Sequence, residues 1–245
     1  MGIEIIPSTG RPFSGLFYKI GNIEFVNYVL TCNGAAMYEY KSGKCIYEAP
    51  VPSERSAELV KELSAFDISI DAFINGKAHK SKAQEAMIDK LDFSEDMKKY
   101  LRNTRVYVDD LYEYIKSNSI SVQKFTLNFV RDENGVYINR DKTAEFLNRQ
   151  NDISVVSGGM GNLEITLKGI NKGASLLKLG ELLGAERDEI MAFGDSENDL
   201  DMIRSAGFGI AMGNSEECVK NAAYAVTLSN NDNGIAAALK KYLDI

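Results

Sequence analysis

The segment Met191–Ser215, which reads MAFGDSENDLDMIRSAGFGIAMGNS, alternates short apolar runs with small and acidic residues. The run Ile190–Phe193 predicts a short buried strand, and Gly194-Asp195-Ser196 follows it directly. A helix is expected around Asp199–Ser205 and a second short strand at Phe208–Ala211. This strand, loop and helix order is typical of a parallel sheet, in which functional residues collect at the carboxyl ends of the strands. The segment therefore predicts a doubly wound α/β fold.

The same order extends towards both ends of the chain. Before the segment, an apolar helix is expected from Ala174 to Leu183, with Gly184 as its C-terminal stop. The remaining expected elements are strands Ile3–Ile6, Tyr28–Thr31 and Tyr224–Thr227 and helices Glu216–Asn221 and Gly234–Leu243. Together these elements predict a parallel core that is assembled from both ends of the chain.

The middle of the chain lacks this alternation. Residues Met37–Tyr47 alternate around Ser42-Gly43, which predicts a hairpin. After it, strands and helices are mixed without the repeating strand and helix order, as in an α+β domain. The sequence thus predicts a discontinuous core of residues 1–47 and 157–245 with an α+β domain inserted at 48–156.

Composition excludes several classes of protein. The chain has 245 residues, 28 Lys and Arg, 35 Asp and Glu, and a net charge of −7. We expect no nucleic-acid partner, because phosphate-backbone binding requires clustered cations. No apolar run reaches the about 18 residues that span a bilayer, so we expect no membrane partner and a cytoplasmic protein. Three scattered cysteines predict neither disulfides nor a zinc site, and His79, flanked by lysines, is interpreted as a surface histidine.

Asp195 and Asp199 stand four positions apart, with Asn198 between them, after a buried strand. Carboxylates that meet at a strand end suit Mg²⁺, which takes few protein ligands and retains water. The alternative is an N-cap, in which Asp195 or Ser196 caps a helix with acidic residues in its first turn. The two interpretations are evenly balanced on this spacing, and Asn198 favours a functional site because capping does not require it.

Ser8-Thr9-Gly10-Arg11-Pro12 also follows an expected strand and precedes an expected helix. A hydroxyl and free backbone N–H groups at a helix start can hold a phosphate group. The segment is not a P-loop, since Leu16 and Phe17 stand where Lys and Ser or Thr belong. A plain turn is the alternative.

Lys172 lies at the start of the expected helix that leads to the Asp195 strand. A cation at a helix N-terminus is disfavoured by the helix dipole. Lys172 is therefore a candidate to pair with phosphate or with the acidic residues near Asp195, unless it is simply exposed.

These segments together resemble the haloacid dehalogenase (HAD) superfamily and, within it, the Cof-type sugar-phosphatase-like group. The resemblance rests on STGRP, TCNGA, LEITLKGINKGASL, the Met191–Ser215 block and TLSNNDNGIAAALKKYL, and so covers most of the chain. It implies a HAD-like (Rossmannoid) core with an inserted α+β cap domain. It also implies a Mg²⁺-dependent phosphatase that acts on small phosphorylated metabolites such as sugar phosphates.

The resemblance also implies residue roles. Lys172, Asp195 and Asp199 would be catalytic, with Asp195 binding Mg²⁺ and Asp199 supporting the metal from close by. Lys172 would orient and neutralise the phosphate. The implied substrate-binding residues are Thr9, Gly10, Arg11, Asn33, Lys172 and Asn198.

One part of the family pattern is missing. The family uses an Asp-x-Asp pair on a first central strand, and the sequence contains no Asp-x-Asp-Gly-Thr. We therefore expect either an N-terminally truncated reading of a longer phosphatase or a degenerate, inactive member. An exposed sheet edge would favour self-association. A non-catalytic module that binds a phosphate ligand or a protein is the alternative function.

Overall fold

The structure is a computed structural model that describes residues 2–21, 23–158 and 161–243. The chain divides into two compact units, Met1–Gly169 and Ile170–Ile245, and each is described by itself. None of the described helices combines the length and the apolar character needed to cross a membrane.

The first unit contains two sheets and several helices within its described residues. Its strands are β1 Tyr28–Thr31, β2 Ala36–Glu39, β3 Cys45–Glu48, β4 Ser69–Ile74, β5 Lys77–Ser81, β6 Arg105–Val108, β7 Lys124–Asn128, β8 Ile153–Ser157 and β9 Leu163–Leu167. Its helices are α1 Phe13–Ile20, α2 Ser53–Leu63, α3 Met87–Lys90, α4 Glu95–Thr104, α5 Leu111–Ser117 and α6 Arg140–Asn148. The order β1-β2-β3 forms an antiparallel sheet and includes the predicted hairpin.

The larger sheet of this unit has the strand order β6-β5-β4-β7-β9-β8. Its pairings are antiparallel except between β5 and β6, which agrees with the α+β character expected for the middle of the chain. Alternate residues of a strand point to opposite faces of a sheet. One face is apolar and shares a buried core with residues of α2, α5 and α6, whose members include Leu59, Ile70, Ile115, Phe125, Leu147 and Ile165.

The second unit has the predicted alternating order. Its strands are β10 Met191–Gly194, β11 Phe208–Ala211 and β12 Ala225–Val226, and its helices are α7 Lys172–Leu183, α8 Leu200–Ser205, α9 Glu217–Ala222 and α10 Gly234–Leu243. The pairs β10–β11 and β11–β12 are both parallel. Gly184 ends α7 with a φ of 73° and two backbone hydrogen bonds back into the helix, as a C-terminal glycine does. The α/β fold class is confirmed.

The predicted strand Ile3–Ile6 is wrong. These residues form no strand, and Ile3 and Ile5 are 53% and 50% exposed. Pairing begins only after them, where Leu30 N–H donates to the Pro7 carbonyl and Ser8 forms a single parallel bridge to Leu30. An apolar run becomes a strand only where a neighbouring backbone satisfies its polar groups, and none of the described residues pairs with Ile3–Ile6 as a strand.

His79 is not a surface residue. It lies in β5, is 6% exposed, and stacks on Tyr114 with ring centroids 5.6 Å apart. Burial lowers the pKa of His79. The surface interpretation took the flanking lysines as a sign of exposure. The next residue, Lys80, points to the other face of the sheet and is itself only 1% exposed.

The large sheet continues beyond residue 156. Strand β9 Leu163–Leu167 pairs with both β7 and β8, so the sheet extends into the range assigned from sequence to the core. The division into compact units falls after Gly169. A core of residues 1–47 and 157–245 with an insertion at 48–156 stays a prediction.

Candidate functional site

The loop after β10 is shaped by the Asp199 carboxylate. Asp199 Oδ2 accepts hydrogen bonds from the backbone N–H groups of Asp195 at 3.0 Å and Ser196 at 3.3 Å. Ser196 and Asp199 form a capping box at the start of the helical segment that leads into α8. The capping interpretation is therefore correct for Ser196. The Asp199 carboxylate that completes this cap also accepts a hydrogen bond from Lys172.

Lys172 joins this loop from the first residue of α7. It is 5% exposed, and its Nζ donates to Asp199 Oδ1 at 2.6 Å and to Asn198 Oδ1 at 3.3 Å. The sequence left Lys172 to pair with phosphate, to pair with the acidic residues near Asp195, or to be exposed. The structure shows pairing with an acidic residue, Asp199. Gly173 makes the approach of α7 to α8 possible, because a Cβ there would lie 2.4 Å from the Asp201 carbonyl oxygen. The result is a buried ammonium group held by one carboxylate and one amide.

Asp195 is an exposed carboxylate of the loop, as is Glu197. Its Oδ2 accepts from Asn214 Nδ2 at 3.1 Å and its Oδ1 from Ser196 Oγ at 3.3 Å. Asn214 is itself held, since its Oδ1 accepts from the Asn230 N–H at 2.9 Å. Sequence reasoning missed Asn214, although it follows β11, the strand parallel to β10. Residues after adjacent parallel strands meet at one sheet edge, which is the signal that could have found it.

The donor set of this loop can be tested against Mg²⁺. Asp195 offers an exposed carboxylate at a strand end. Mg²⁺ retains most of its water and therefore requires only one or two such carboxylates. The oxygens of Asp199 already accept from Lys172 and two backbone N–H groups, so its geometry is that of a support for the loop. In the described ranges, no group of three or more His, Cys, Asp and Glu side chains could hold a metal ion. The residues fit a cation bound through Asp195 and water.

The Thr9 loop of the first unit uses its own backbone donors. Thr9 N–H donates to the Leu30 carbonyl at 2.9 Å, and Arg11 N–H donates to Thr9 Oγ1 at 3.1 Å. At the start of α1, Gly15 N–H donates to the Pro12 carbonyl. The expectation of free backbone N–H groups is therefore wrong for Thr9, Arg11 and Gly15, whose N–H groups donate to Leu30 of β1, to the Thr9 side chain and to the Pro12 carbonyl, respectively. The Thr9 hydroxyl retains its own proton as a donor.

Asn33 follows β1 in an unusual backbone conformation. Cys32 and Asn33 both have φ of 56°, and Gly34 has φ of 95°. Side-chain-bearing residues rarely adopt this left-handed region, and such strain is concentrated at functional sites. Asn33 is 4% exposed, its Nδ2 donates to Glu164 Oε2 at 2.7 Å, and its Oδ1 has no hydrogen-bond partner among the described residues.

Gly10 brings the Thr9 loop against the same group of side chains. A Cβ on Gly10 would lie 2.8 Å from Asn33 Oδ1 and 3.1 Å from Lys124 Nζ. Lys124 Nζ donates to Glu164 Oε1 at 2.5 Å, and both side chains are buried. Only glycine fits such close polar contacts. The sequence did not single out Lys124 or Glu164, because their pairing joins β7 to β9 across forty positions of chain.

Arg11 lies beside an aromatic residue of α4. Its guanidinium carbon is 4.8 Å from the centre of the Tyr100 ring, and that of Arg105 is 5.5 Å from the same ring. Thr9, Gly10, Arg11 and Asn33 thus share one region of the first unit. Among the site residues of the second unit, Lys172 contacts Asn198 and Asp199, and Asp195 adjoins them in the loop.

Comparison with known proteins agrees with this fold. A family model described as haloacid dehalogenase-like hydrolase matches residues 1–239. The 5-amino-6-(5-phospho-D-ribitylamino)uracil phosphatase YitU of Bacillus subtilis is 28% identical over 251 residues, which cover 100% of this chain and 86% of YitU. A second Bacillus subtilis phosphatase with the same name, YcsE, is 38% identical over 104 residues, and the match covers 42% of each protein.

A solved structure shows the same fold. The structure is similar to that of the HAD subclass IIB sugar phosphatase BT4131, with a TM-score of 0.77 and 23% identity, covering 100% of this chain and 87% of that one. The family resemblance read from the sequence is therefore confirmed. Since the family model spans nearly the whole chain and both the motif block and the fold agree with it, the chain belongs to the haloacid dehalogenase-like hydrolases.

Proposed function

We propose that this chain is a Mg²⁺-dependent phosphatase-type protein of the cytoplasm that binds small phosphorylated metabolites. The observation that carries the proposal is the group formed by Lys172, Asn198 and Asp199 beside the exposed Asp195. It unites a buried ammonium group, which attracts phosphate oxygens, with an exposed carboxylate suited to a cation. Relatives whose names describe phosphatases of a phosphorylated ribityl compound support the choice of substrate class.

Each residue of the group has a distinct role in the proposal. Lys172 binds and neutralises a phosphate oxygen, and Asp199 holds its ammonium group in place and fixes the loop through backbone N–H groups. Asn198 offers an amide to phosphate or water. Asp195, held by Asn214, would bind Mg²⁺, with Asp199 as its support. When bound, the metal would supply charge neutralisation for the phosphoryl oxygens.

In the first unit, Thr9, Gly10 and Arg11 are proposed to contact the substrate. The Thr9 hydroxyl accepts from Arg11 N–H and can donate its own proton to a phosphate oxygen. Gly10 permits the close approach of polar side chains to the backbone, and Asn33 is held rigidly beside it.

A second candidate function is a non-catalytic module that binds a phosphate ligand. It is favoured by the contacts of Lys172, Asn198 and Asp195, which suit binding of a phosphate and a cation and include no group placed as the family's nucleophile. Asp199 does not replace that nucleophile, because its oxygens are occupied by Lys172 and by backbone donors. Under this reading the chain binds phosphate and Mg²⁺ without turnover.

Phosphate release and ligand binding, measured on one preparation, separate the two functions. The phosphatase reading expects Mg²⁺-dependent release of phosphate from p-nitrophenyl phosphate, which Asp195→Asn abolishes. The matched control is Asp188→Asn, an exposed carboxylate of the same unit, which should leave release unchanged. Calorimetric binding of phosphate and Mg²⁺ without release supports the module. Absence of both binding and release contradicts both functions.

A further inference from the structure

One buried glutamine joins the two sheets of the first unit. Gln123 directly precedes β7 and is 1% exposed. Its Oε1 accepts from the Gly76 N–H at 3.1 Å, and Cys32 Sγ lies 3.8 Å from the same oxygen. Its Nε2 donates to the Tyr38 hydroxyl at 3.0 Å and to Glu48 Oε2 at 2.9 Å. Gly76 lies in the turn between β4 and β5, whereas the other three partners lie in or next to the β1-β2-β3 sheet.

These partners fix the orientation of the Gln123 amide. A backbone N–H such as that of Gly76 can only donate, and a carboxylate such as that of Glu48 can only accept. The amide oxygen must therefore face Gly76, and the amide nitrogen must face Glu48. The oxygen has two donors and the nitrogen two acceptors, so the amide has no hydrogen bond left for a ligand. Gln123 acts on other residues and does not bind substrate itself.

The two sheets that Gln123 joins pack against separate apolar clusters. The cluster beside the β1-β2-β3 sheet is formed by Leu16, Val26, Val29, Ala36, Tyr38 and Tyr40. None of these residues belongs to the core of the large sheet. Parts of a protein that share few apolar contacts are the parts that separate locally in the native state. Hydrogen bonds such as those of Gln123 therefore contribute directly to the connection between the sheets.

The residue that Gln123 contacts after β1 begins a turn with an unfavourable backbone conformation. Cys32 and Asn33 both have positive φ, which is disfavoured for residues that carry a side chain. Such a conformation persists only where the surroundings hold it. On one side, the N–H groups of Cys32 and Asn33 donate to the carbonyls of Arg11 and Thr9. On the other side, the Cys32 thiol contacts Gln123.

Two consecutive residues at β7 thus hold two consecutive residues of this turn. Gln123 contacts Cys32, and Lys124 reaches Asn33 through Glu164, which pairs with both. Lys124 and Glu164 lie in the site described above, whereas Gln123 contacts the turn from the junction between the sheets.

We propose that Gln123 is a positioning residue of the first-unit site, whose amide holds the left-handed turn at Cys32 and Asn33 against the large sheet. The inference rests on the proposed function only for the role of Asn33. Gln123 takes no part in phosphoryl chemistry.

The Cys32 thiol reports the position of this turn. It is buried, so a thiol reagent reaches it only when the turn moves away from its neighbours. Its rate of labelling in the full chain at pH 8 is measured by mass spectrometry of the peptide that contains it. Hydrogen exchange of the β7 and β9 amides, measured in parallel, reports opening of the large sheet itself. The ratio of the two rates separates movement of the turn from a general loss of stability.

A pair of substitutions that exchanges two side chains gives the sharpest test. Gln123→Glu keeps an acceptor for Gly76 and Cys32, but it replaces the amide donor with a second carboxylate oxygen beside Glu48. Adding Glu48→Gln supplies an amide donor from the opposite side, and the Tyr38 hydroxyl can donate as well as accept. The double variant therefore restores the pattern of donors and acceptors with its direction reversed.

We expect Gln123→Glu to speed Cys32 labelling by roughly ten- to a hundredfold relative to β7 and β9 exchange, because buried groups lose their partners. Adding Glu48→Gln should return the rate to within about threefold of the native rate, as for two residues that act as a pair. Gln123→Met removes all four contacts without adding charge. It should also speed labelling, and Glu48→Gln should not correct it.

Gln84→Glu is the matched control. The Gln84 amide also uses both ends, since it donates to the Ile68 carbonyl at 2.9 Å and accepts from the Ile70 N–H at 3.1 Å. Its partners lie within the large sheet or directly before it, away from the junction. Gln84→Glu should therefore leave the labelling of Cys32 unchanged relative to β7 and β9 exchange.

Several outcomes would overturn the proposal. These are unchanged labelling in Gln123→Met, labelling that rises only in proportion to β7 and β9 exchange, no recovery in the double variant, and an equal effect of Gln84→Glu. If Gln123→Glu does not fold, the double variant and Gln123→Met decide the question. No ligand is present in these measurements, so their outcome is independent of whether the chain binds phosphate.

Discussion

Asp71→Asn tests the strongest electrostatic feature of the first unit. Asp71 is fully buried between Lys80 and Arg105, whose side chains are 1% and 5% exposed. Asparagine keeps the shape of the side chain but leaves two cations buried without a carboxylate. Removal of one partner from a buried ion pair costs about 3–5 kcal/mol, so we expect the free energy of unfolding to fall by about that amount.

Urea unfolding followed by circular dichroism measures this loss. With a urea dependence of about 2 kcal/mol per molar, the midpoint should fall by roughly 1.5–2.5 M. The matched control is Asp109→Asn, which breaks an exposed pair with Lys82 whose side chains are 62% and 90% exposed. Its midpoint should hardly move, because exposed pairs are screened by solvent. Adding Lys80→Met to Asp71→Asn should restore part of the loss. Equal midpoints for the two single variants would refute the reasoning.

Three further predictions concern titration, the loop after β10 and thiol reactivity. Burial opposes ionisation of Asp71, but Arg105 and Lys80 prevail and lower its pKa from 3.8 to about 2, so its stabilisation is complete above pH 4 and is lost as the pH falls towards 2. Between pH 4 and pH 2, the free energy of unfolding of the native chain should therefore fall more steeply with decreasing pH than that of Asp71→Asn. Identical acid unfolding profiles would contradict this. Lys172→Met should destabilise the second unit by about 2 kcal/mol or more, because Asp199 is left buried without its cation, and hydrogen exchange of β10 should report it; unchanged protection would count against it. Burial raises the pKa of Cys32 to about 12 and also raises the pKa of Cys45, so a thiol reagent at pH 8 should modify Cys218 first, Cys45 more slowly and Cys32 only on unfolding; equal rates for all three thiols would contradict this.

The second unit was predicted well because its signals are local. Each of its strands is a short run of apolar residues and glycine, and the loops are short. Strand Phe208–Ala211 and helix Gly234–Leu243 have the predicted bounds. Ile3–Ile6 has the same apolar character but forms no strand, because strand formation depends on a neighbour that the residues themselves do not encode.

The first-unit site was predicted only in part, because it is built by pairing across distant strands. Asn33 was singled out, but its partner Glu164 lies 131 positions away. The alternation in Lys124-Phe-Thr-Leu-Asn indicates a strand with two unlike faces, yet it does not reveal that both faces are buried. A lysine on a strand is normally taken as exposed, and only the ion pair with Glu164 explains the burial of Lys124.

The loop after β10 shows why capping and chemistry could not be separated from sequence alone. The same spacing predicts a capping box and an acidic site, and in the structure the Asp199 carboxylate both forms the cap and pairs with Lys172. Asp199 uses Oδ2 to cap the chain at Asp195 and Ser196, and it uses Oδ1 to hold Lys172. Asp199 can make both sets of contacts because each of the two oxygens of a carboxylate accepts hydrogen bonds. A conservative change to asparagine would keep one acceptor oxygen and lose the charge, so it would spare the cap while weakening the hold on Lys172. The helix start and the ammonium group are thus positioned by a single side chain, which makes the local fold a precondition of the proposed phosphate contact.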